Sequence, residues 1–242
     1  MLTTFSFEPI PGEADDGDAV IPFLLAIHVA AGALALVVAP VAMVTAKGGP
    51  THRRWGKVYY WAMAVVALTA VVVALWRPNP FLALVAVFSF YFAFTGRRVL
   101  LHKRPERGER ATALDWGAAV AAVIASVGLV VLGVVQPGAV WVKLGTVAVV
   151  FGVLGLVFAG LQLRRFARPP VDPVRWWFTH MSGMLGSYLA AVTAFSVVNF
   201  TFMPTTLRWL WPTLVGTPLI VLWVAYYRRR FQRRRTPEVA AA

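Results

Sequence analysis

The chain has no cysteine, and only 10 of its 242 residues are Asp or Glu. The absence of cysteine excludes disulfide bonds, iron–sulfur clusters, zinc knuckles and thiol nucleophiles. Charged residues make up 14% of the chain, whereas soluble domains average about 25%. Hydrophobic residues make up 59%, and the mean hydropathy is +0.70. This composition excludes a soluble globular domain and a disordered chain, and it predicts a polytopic membrane protein.

Seven apolar segments are long enough to cross a membrane, since a helix needs roughly 20 residues to span ~30 Å of hydrocarbon. They cover residues 19–46, 55–76, 80–101, 113–135, 140–163, 176–200 and 209–227. The sequence therefore predicts an all-α fold, a polytopic integral membrane bundle of seven transmembrane helices. This helical domain covers residues 19–228, between an acidic tail at 1–18 and a basic tail at 229–242.

The basic residues alternate between the two sides of the membrane. With the N-terminus outside, 20 of the 23 Lys and Arg residues fall on one side, and only Arg77, Lys143 and Arg208 fall on the other. Basic loops stay in the cytoplasm. The pattern therefore predicts an extracytoplasmic N-terminus and a cytoplasmic C-terminus. The tail at 1–18 has no basic n-region, so it is not expected to be a signal peptide.

Six arginines between Arg228 and Arg235 follow the last span. Such a run anchors the span, and it attracts anionic lipids with about 1 kcal/mol for each basic residue. No folded nucleic-acid-binding module accompanies the run, so a nucleic acid is not an expected partner. The lipid bilayer, with anionic lipids at this basic tail, is the expected environment.

The fifth span carries a stripe of small residues at spacings of three and four, namely Gly145, Ala148, Gly152, Gly155 and Ala159. Small residues allow helix backbones to approach closely in lipid, where no hydrophobic effect drives helices together. The stripe predicts a packing face. Its partner is either another span or a second protomer, so a homo-oligomer or a membrane partner is one expectation.

Histidines are the most informative polar residues, because ionisable groups inside a bilayer tend to face the bundle interior. His28 lies in the first span toward the outside, whereas His52 and His180 lie at a similar depth toward the cytoplasm. His102 follows the third span beside Lys103, and we expect it to be solvated.

Tyrosine, arginine and aspartate accompany these histidines. Tyr59 shares a helix face with His52, and Tyr188 lies near the His180 face. Asp115 is expected to neutralise Arg97 or Arg98. A polar pocket in the cytoplasmic half of the bundle is therefore predicted. The candidate cofactor-binding residues are His28, His52, Tyr59, Arg98, His180 and Tyr188, and the candidate metal ligands are His52 and His180.

These residues favour a redox protein that binds haem b or a quinone, although the cofactor itself is left open. His28 and His180 differ in depth by roughly 15–20 Å at 1.5 Å per residue, so they cannot share one haem, whereas His52 and His180 can. A transporter of a small molecule or an ion is an alternative, and it requires a polar path past His28. Hydrolysis at a zinc site formed by the three inner histidines and Asp115 is another. The last alternative is a non-catalytic membrane subunit, so enzymatic activity stays undecided.

Two segments carry a resemblance to a known family. The first runs from His28 through Gly32 and Pro40 to Thr51–Tyr59, which reads THRRWGKVY. The second is the run Trp176–Phe195 with its histidine at position 180. Together they resemble domain of unknown function 2306, a family of bacterial membrane proteins, of which this chain looks like a divergent member. The resemblance implies a multi-pass protein of the bacterial cytoplasmic (inner) membrane and implies no substrate.

Overall fold

The computed structural model describes residues 17–135, 139–169, 172 and 174–239. These residues form seven long α-helices and contain no β-strand. The helices are α1 (Gly17–Val44), α2 (Pro50–Trp76), α3 (Pro80–Arg98), α4 (Ala113–Val135), α5 (Ala139–Ala167), α6 (Arg175–Asn199) and α7 (Thr205–Val239). Short 3-10 helices at Val99–Leu101 and Pro105–Arg107 lie between α3 and α4. The predicted all-α, seven-helix architecture is confirmed.

Helix starts follow local signals in the sequence. Pro50 and Pro80 occupy the first turns of α2 and α3, where proline has the right φ and no amide hydrogen is needed. Asn79 caps α3 by accepting a hydrogen bond from the Leu82 amide at 3.0 Å. Because α2 begins at Pro50 rather than at residue 55, His52 lies inside its first turn.

The last helix is longer than the hydropathy predicts. It begins at Thr205 and continues to Val239, through the basic run, whereas the apolar segment covers only 209–227. The acidic tail lies outside the described residues except for Gly17 and Asp18, which begin α1.

Each helix is long and apolar enough to cross a membrane. Large apolar side chains, such as those of Val37, Trp61 and Leu68, lie exposed on the outside of the bundle. Such a surface would be unstable in water, and it suits contact with lipid. The protein is therefore a multi-pass membrane protein.

Helix α3 occupies the middle of the bundle, since it contacts α2, α4, α5 and α6. The α1–α2 and α4–α5 pairs pack side by side, and α7 covers α5 and α6. One buried cluster joins α1, α2 and α3, and it includes Ala35, Tyr59 and Ala93. The site residues on α2 and α6 are thereby placed around the central helix.

The small-residue stripe on α5 packs inside the chain. A Cβ atom at Gly145 would lie 2.8 Å from the Gly133 carbonyl oxygen, and one at Gly152 would lie 2.6 Å from that of Ser126. Ala148 and Ala159 are fully buried. The partner of the stripe is therefore α4, with α3 nearby, so this face is not free for a second protomer. Oligomerisation through another surface stays a prediction.

Candidate functional site

The two inner histidines meet at the basic end of the bundle. The ring centroids of His52, on α2, and His180, on α6, lie 6.2 Å apart, and their planes make an angle of 76°. The sequence predicts only a similar depth for them. The structure adds that the two helices present them to each other.

Each ring is held through Nδ1 by a main-chain carbonyl at the end of another helix. His52 Nδ1 donates to the Ala42 oxygen at 2.9 Å, and His180 Nδ1 donates to the Gly96 oxygen at 2.7 Å. The last four carbonyls of a helix have no partner within it. Ala42 and Gly96 lie in the last turns of α1 and α3. The histidines therefore cap two helix ends.

This hydrogen bonding also selects the tautomer of both rings. A carbonyl oxygen only accepts hydrogen bonds, so Nδ1 of each neutral ring carries the proton and Nε2 keeps its lone pair. Among the described residues, neither Nε2 atom has a hydrogen-bond partner. An imidazole oriented in this way is ready to bind a metal or to accept a proton.

A close helix crossing brings His180 to its carbonyl. A Cβ atom at Gly183 would lie 2.8 Å from both the Cα atom of Gly96 and the Phe92 carbonyl oxygen. Any residue larger than glycine would push α6 away from α3. Because Gly183 is three positions from His180, it lies on nearly the same face of α6.

The two predicted tyrosines lie about two helical turns farther along α2 and α6 than the histidines. Tyr59 is 2% exposed, and its hydroxyl donates to Ser187 Oγ at 2.7 Å. Ser187 in turn donates to the Met184 carbonyl oxygen at 2.8 Å. Tyr188 packs against the same buried cluster as Tyr59. A hydrogen-bonded contact between α2 and α6 therefore supports the histidine pair.

Arg98 belongs to a different cluster, on the opposite side of α3. Its Nε and Nη2 atoms donate to the two carboxylate oxygens of Asp115 at 2.7 and 2.8 Å. Asp115 is 2% exposed and also accepts from the amide and hydroxyl of Thr112, the residue before α4. The expected ion pair is confirmed for Arg98. It faces α4 and not the histidine pair.

His102 is not solvated as expected. Its side chain is 15% exposed, and its Nε2 atom lies 3.5 Å from Asp115 Oδ2. Burial lowers the pKa of His102 below its usual value, and the charge of Asp115 opposes this change. The expectation is wrong because the 3-10 turn after α3 folds His102 back toward α4.

His28 lies far from the other histidines. Its Nδ1 atom is 3.1 Å from the Val66 carbonyl oxygen and 3.0 Å from Thr69 Oγ1. About 21 Å of helix α1 separates it from Ala42, the residue that holds His52. The apolar residues Ala35 and Ala39 lie between these two levels.

His28 lines a cavity of about 1380 Å³ in the other half of the bundle. Most of the lining is apolar, with Phe88, Leu154 and Val221 among the residues. Thr69, Ser89 and Thr193 add a few polar groups. The cavity exceeds the roughly 300–1,000 Å³ of most ligand pockets, and its lining has the apolar character of a site for an apolar small molecule.

Several determinants of the site have no signature in the sequence. The carbonyls of Ala42 and Gly96 are main-chain groups, so side-chain patterns do not reveal them. The clearest sign of the site in the sequence is the pair Gly183 and Gly186 on α6, because both permit a close helix contact near His180. Gln162 is a second signal in the sequence, because it is a polar side chain that lies buried within the membrane-spanning helix α5.

No group of three or more His, Asp or Glu side chains converges as a metal site among the described residues. The zinc-hydrolase alternative therefore has no support in this part of the chain.

Comparison with protein-family models finds no match, and comparisons with curated proteins and with solved structures find none either. Membership of domain of unknown function 2306 stays a prediction.

Proposed function

We propose that the protein is an intramembrane redox protein that binds a haem between His52 and His180. The observation that carries the proposal is the paired rings, each with Nδ1 on a main-chain carbonyl and with Nε2 without a hydrogen-bond partner among the described residues. Metal-bound histidines almost always donate their other ring N–H to a carbonyl, carboxylate or water.

The ring centroids of His52 and His180 are 6.2 Å apart. The two side chains are therefore close enough that both would be able to hold one haem iron, whose bond to an imidazole nitrogen is about 2.0 Å long. A haem would supply one-electron chemistry, with axial ligation helping to set its potential. Arg98 is engaged by Asp115, so the exposed Arg53 and Arg54 beside His52 are the better partners for propionates.

An absorption spectrum of the purified protein tests this proposal. After expression with supplemented haem, we expect a Soret band that sharpens and shifts on reduction with dithionite. His52→Ala and His180→Ala should each lose most of the band, because each removes one axial ligand. His28→Ala is the matched control, and it should keep the wild-type spectrum. A wild-type protein without the band would contradict haem binding, and a band that survives both substitutions would contradict the ligand assignment.

A quinone in the large cavity is the second candidate function. It is favoured by the position of His28, whose Nδ1 atom is engaged by Val66 and Thr69 while its ring lines about 1380 Å³ of mostly apolar space. In this tautomer Nε2 accepts a hydrogen bond, which suits the hydroxyl group of a quinol.

A thermal shift with a short-chain quinol separates this candidate from haem binding. The quinol should raise the Tm of the wild-type protein, because a ligand that binds only the folded state stabilises it. His28→Leu should raise the quinol concentration needed for the same shift by about fivefold, since one hydrogen bond is worth about 1 kcal/mol. His180→Ala should leave it unchanged. Equal shifts in wild type and His28→Leu would contradict this site.

We also infer that the N-terminus is extracytoplasmic and the C-terminus cytoplasmic, in the cytoplasmic (inner) membrane of a bacterium. The inference is supported by the alternation of basic residues, with only three of 23 on the outer side. Arg228, Arg229 and Arg230 are exposed where α7 leaves its apolar segment, which supports contact with anionic lipids.

A further inference from the structure

A second, smaller pocket lies between α3, α4, α5 and α6, at the basic end of the bundle. Its volume is about 80 Å³, and it is separate from the histidine pair and from the large cavity. One water needs about 10–15 Å³ on this measure. The pocket therefore has room for one compact polar group.

Three buried polar atoms around this pocket have no hydrogen-bond partner among the described residues. They are Tyr91 Oη, Gln162 Nε2 and Arg165 Nε. The Tyr91 hydroxyl also interacts with the side chain of Thr95, but the two groups do not meet the geometry of a hydrogen bond. Gln162 is only 2% exposed. An unpaired buried polar group is destabilising, so three in one pocket indicate that something else satisfies them. All three atoms can donate hydrogen bonds, and a ligand that satisfies them must therefore be an acceptor.

The charge of the pocket also favours an anion. Arg165 donates from Nη1 to Thr179 Oγ1 at 3.0 Å, and it has no ion pair with a carboxylate in the part of the chain described. Three carboxylates, those of Glu109, Asp115 and Asp172, also line the pocket, but its five basic residues (Arg98, Lys103, Arg110, Arg165 and Arg175) leave the lining with a net charge of +2. Both oxygens of Asp115 are already engaged by Arg98 and Thr112. The positive charges of Arg175 and Arg228 also act on Arg165.

We propose that this pocket binds a phosphate group through Tyr91, Gln162 and Arg165. Three donors on two helices match the three free oxygens of a phosphate monoester, as in phosphatidic acid, or of inorganic phosphate, better than the two oxygens of a carboxylate. Arg165 lies two residues before the end of the α5 span, which is the level of the lipid headgroups. The phosphate can therefore belong to a lipid or be free. The proposal does not depend on haem or quinone binding.

Thermal unfolding of the full chain in a phosphate-free maltoside detergent tests the proposal. One arm titrates inorganic phosphate, a second titrates dioctanoyl phosphatidic acid, and dioctanoylglycerol and acetate serve as ligand controls. We expect at least one phosphate compound to raise the Tm with a saturable Kd, and the controls to have no comparable effect. A response to the lipid alone assigns a headgroup, and a response to inorganic phosphate shows that free phosphate suffices. No response to either compound, or an equal response to acetate, overturns the proposal.

Variants connect the response to these side chains. Arg165→Gln should weaken phosphate binding by about tenfold or more, because it removes a charged hydrogen-bond donor. Arg164→Gln is the matched control, since Arg164 is the exposed neighbour on the same helix. If Arg164→Gln weakens binding as much as Arg165→Gln does, binding is a general charge effect and the proposal fails.

Tyr91→Phe covers the case in which Arg165→Gln does not fold. Without ligand, its Tm should stay within about 2–4 °C of that of wild type, because the hydroxyl that it removes has no well-formed hydrogen bond and interacts only weakly with Thr95. With phosphate, its affinity should fall about fivefold to tenfold, as expected for one lost hydrogen bond. Wild-type affinity in both Tyr91→Phe and Gln162→Met would overturn the assignment of the pocket.

Discussion

Asp115 illustrates how a single residue can organise one end of a membrane helix bundle. Its carboxylate accepts two hydrogen bonds from Arg98 and two from Thr112, and it lies 3.5 Å from His102. The contact with the Thr112 amide is half of a capping box at the start of α4. The same carboxylate thus caps the start of α4 and neutralises Arg98 at the end of α3.

The neighbouring His102 should make stability dependent on pH. Burial lowers its pKa in the folded protein below the usual 6.5, so the unfolded chain binds the proton more readily. The stabilisation from the neutral ring is therefore complete above pH 6.5 and is lost as the pH falls through the lowered pKa. His102→Gln, which does not titrate, should show a smaller loss of Tm between pH 8 and pH 5.5.

The measurement is a thermal scan of wild type and His102→Gln at both pH values. Each kcal/mol of proton linkage corresponds to about 2–4 °C in a chain of this size. Because the other three histidines are present in both proteins, their titration cancels in the comparison. An identical pH dependence of the two proteins would show that His102 is not the titrating group.

At the scale of helices, glycine determines which pairs come into close contact. Gly183 lies against α3, and Gly145 and Gly152 lie against α4. Inside a membrane, lipid is as apolar as leucine, so close backbone packing largely decides which helices associate. The close α3–α6 contact then fixes the distance between His180 and the Gly96 carbonyl.

Gly183→Leu should separate α6 from α3 and release His180 from its carbonyl. We expect a Tm lower by about 5 °C or more, since overpacking typically costs 1–3 kcal/mol, together with loss of any Soret band. Gly160→Leu on α5 is the control, because no atom lies within 4 Å of a Cβ placed there. The explanation fails if both variants behave alike.

The sequence predicts the helices well and their partners poorly. The apolar segments 80–101 and 113–135 agree closely with α3 and α4, because length and hydropathy decide whether a helix spans a membrane. The stripe on α5 is visible as a pattern, but its partner α4 is not. A helix that faces lipid on one side is apolar all round, so hydropathy does not reveal which face is buried.

For the candidate site too, the sequence predicts the depth of a residue along its helix but not the direction in which its side chain faces. The proximity of His52 and His180 agrees with their predicted depth, because depth follows directly from position along a helix. Arg98 faces Asp115, and His28 faces a separate cavity, because the rotation of each helix depends on contacts such as that of Gly96 with Gly183. The pocket predicted in the cytoplasmic half is therefore two separate sites in the structure, and His28 lies apart from both, as its predicted depth implies.

For the whole molecule, orientation can be tested with single cysteines. The chain has no cysteine of its own, so an introduced thiol is the only one present. Ala46 and Glu106 are exposed between helices on the proposed cytoplasmic side, and Thr201 is exposed on the opposite side. In intact cells, a membrane-impermeant maleimide should label Thr201→Cys and leave Ala46→Cys and Glu106→Cys unlabelled. Inverted membrane vesicles should give the opposite pattern, and labelling of all three in intact cells would contradict the topology.

The positions of the two histidines in the sequence also determine the order in which their contacts can form during biosynthesis. His52 meets its carbonyl only 10 residues away, so that contact can form early, whereas the α2–α6 contact at Tyr59 and Ser187 joins residues 128 positions apart. At roughly 5–20 residues per second, the ribosome needs about 6–26 s to make the intervening chain. During that interval the first ring is already held in position while its partner does not yet exist. A ligand that needs both rings could therefore be held only after the chain has been made as far as His180, near the start of α6.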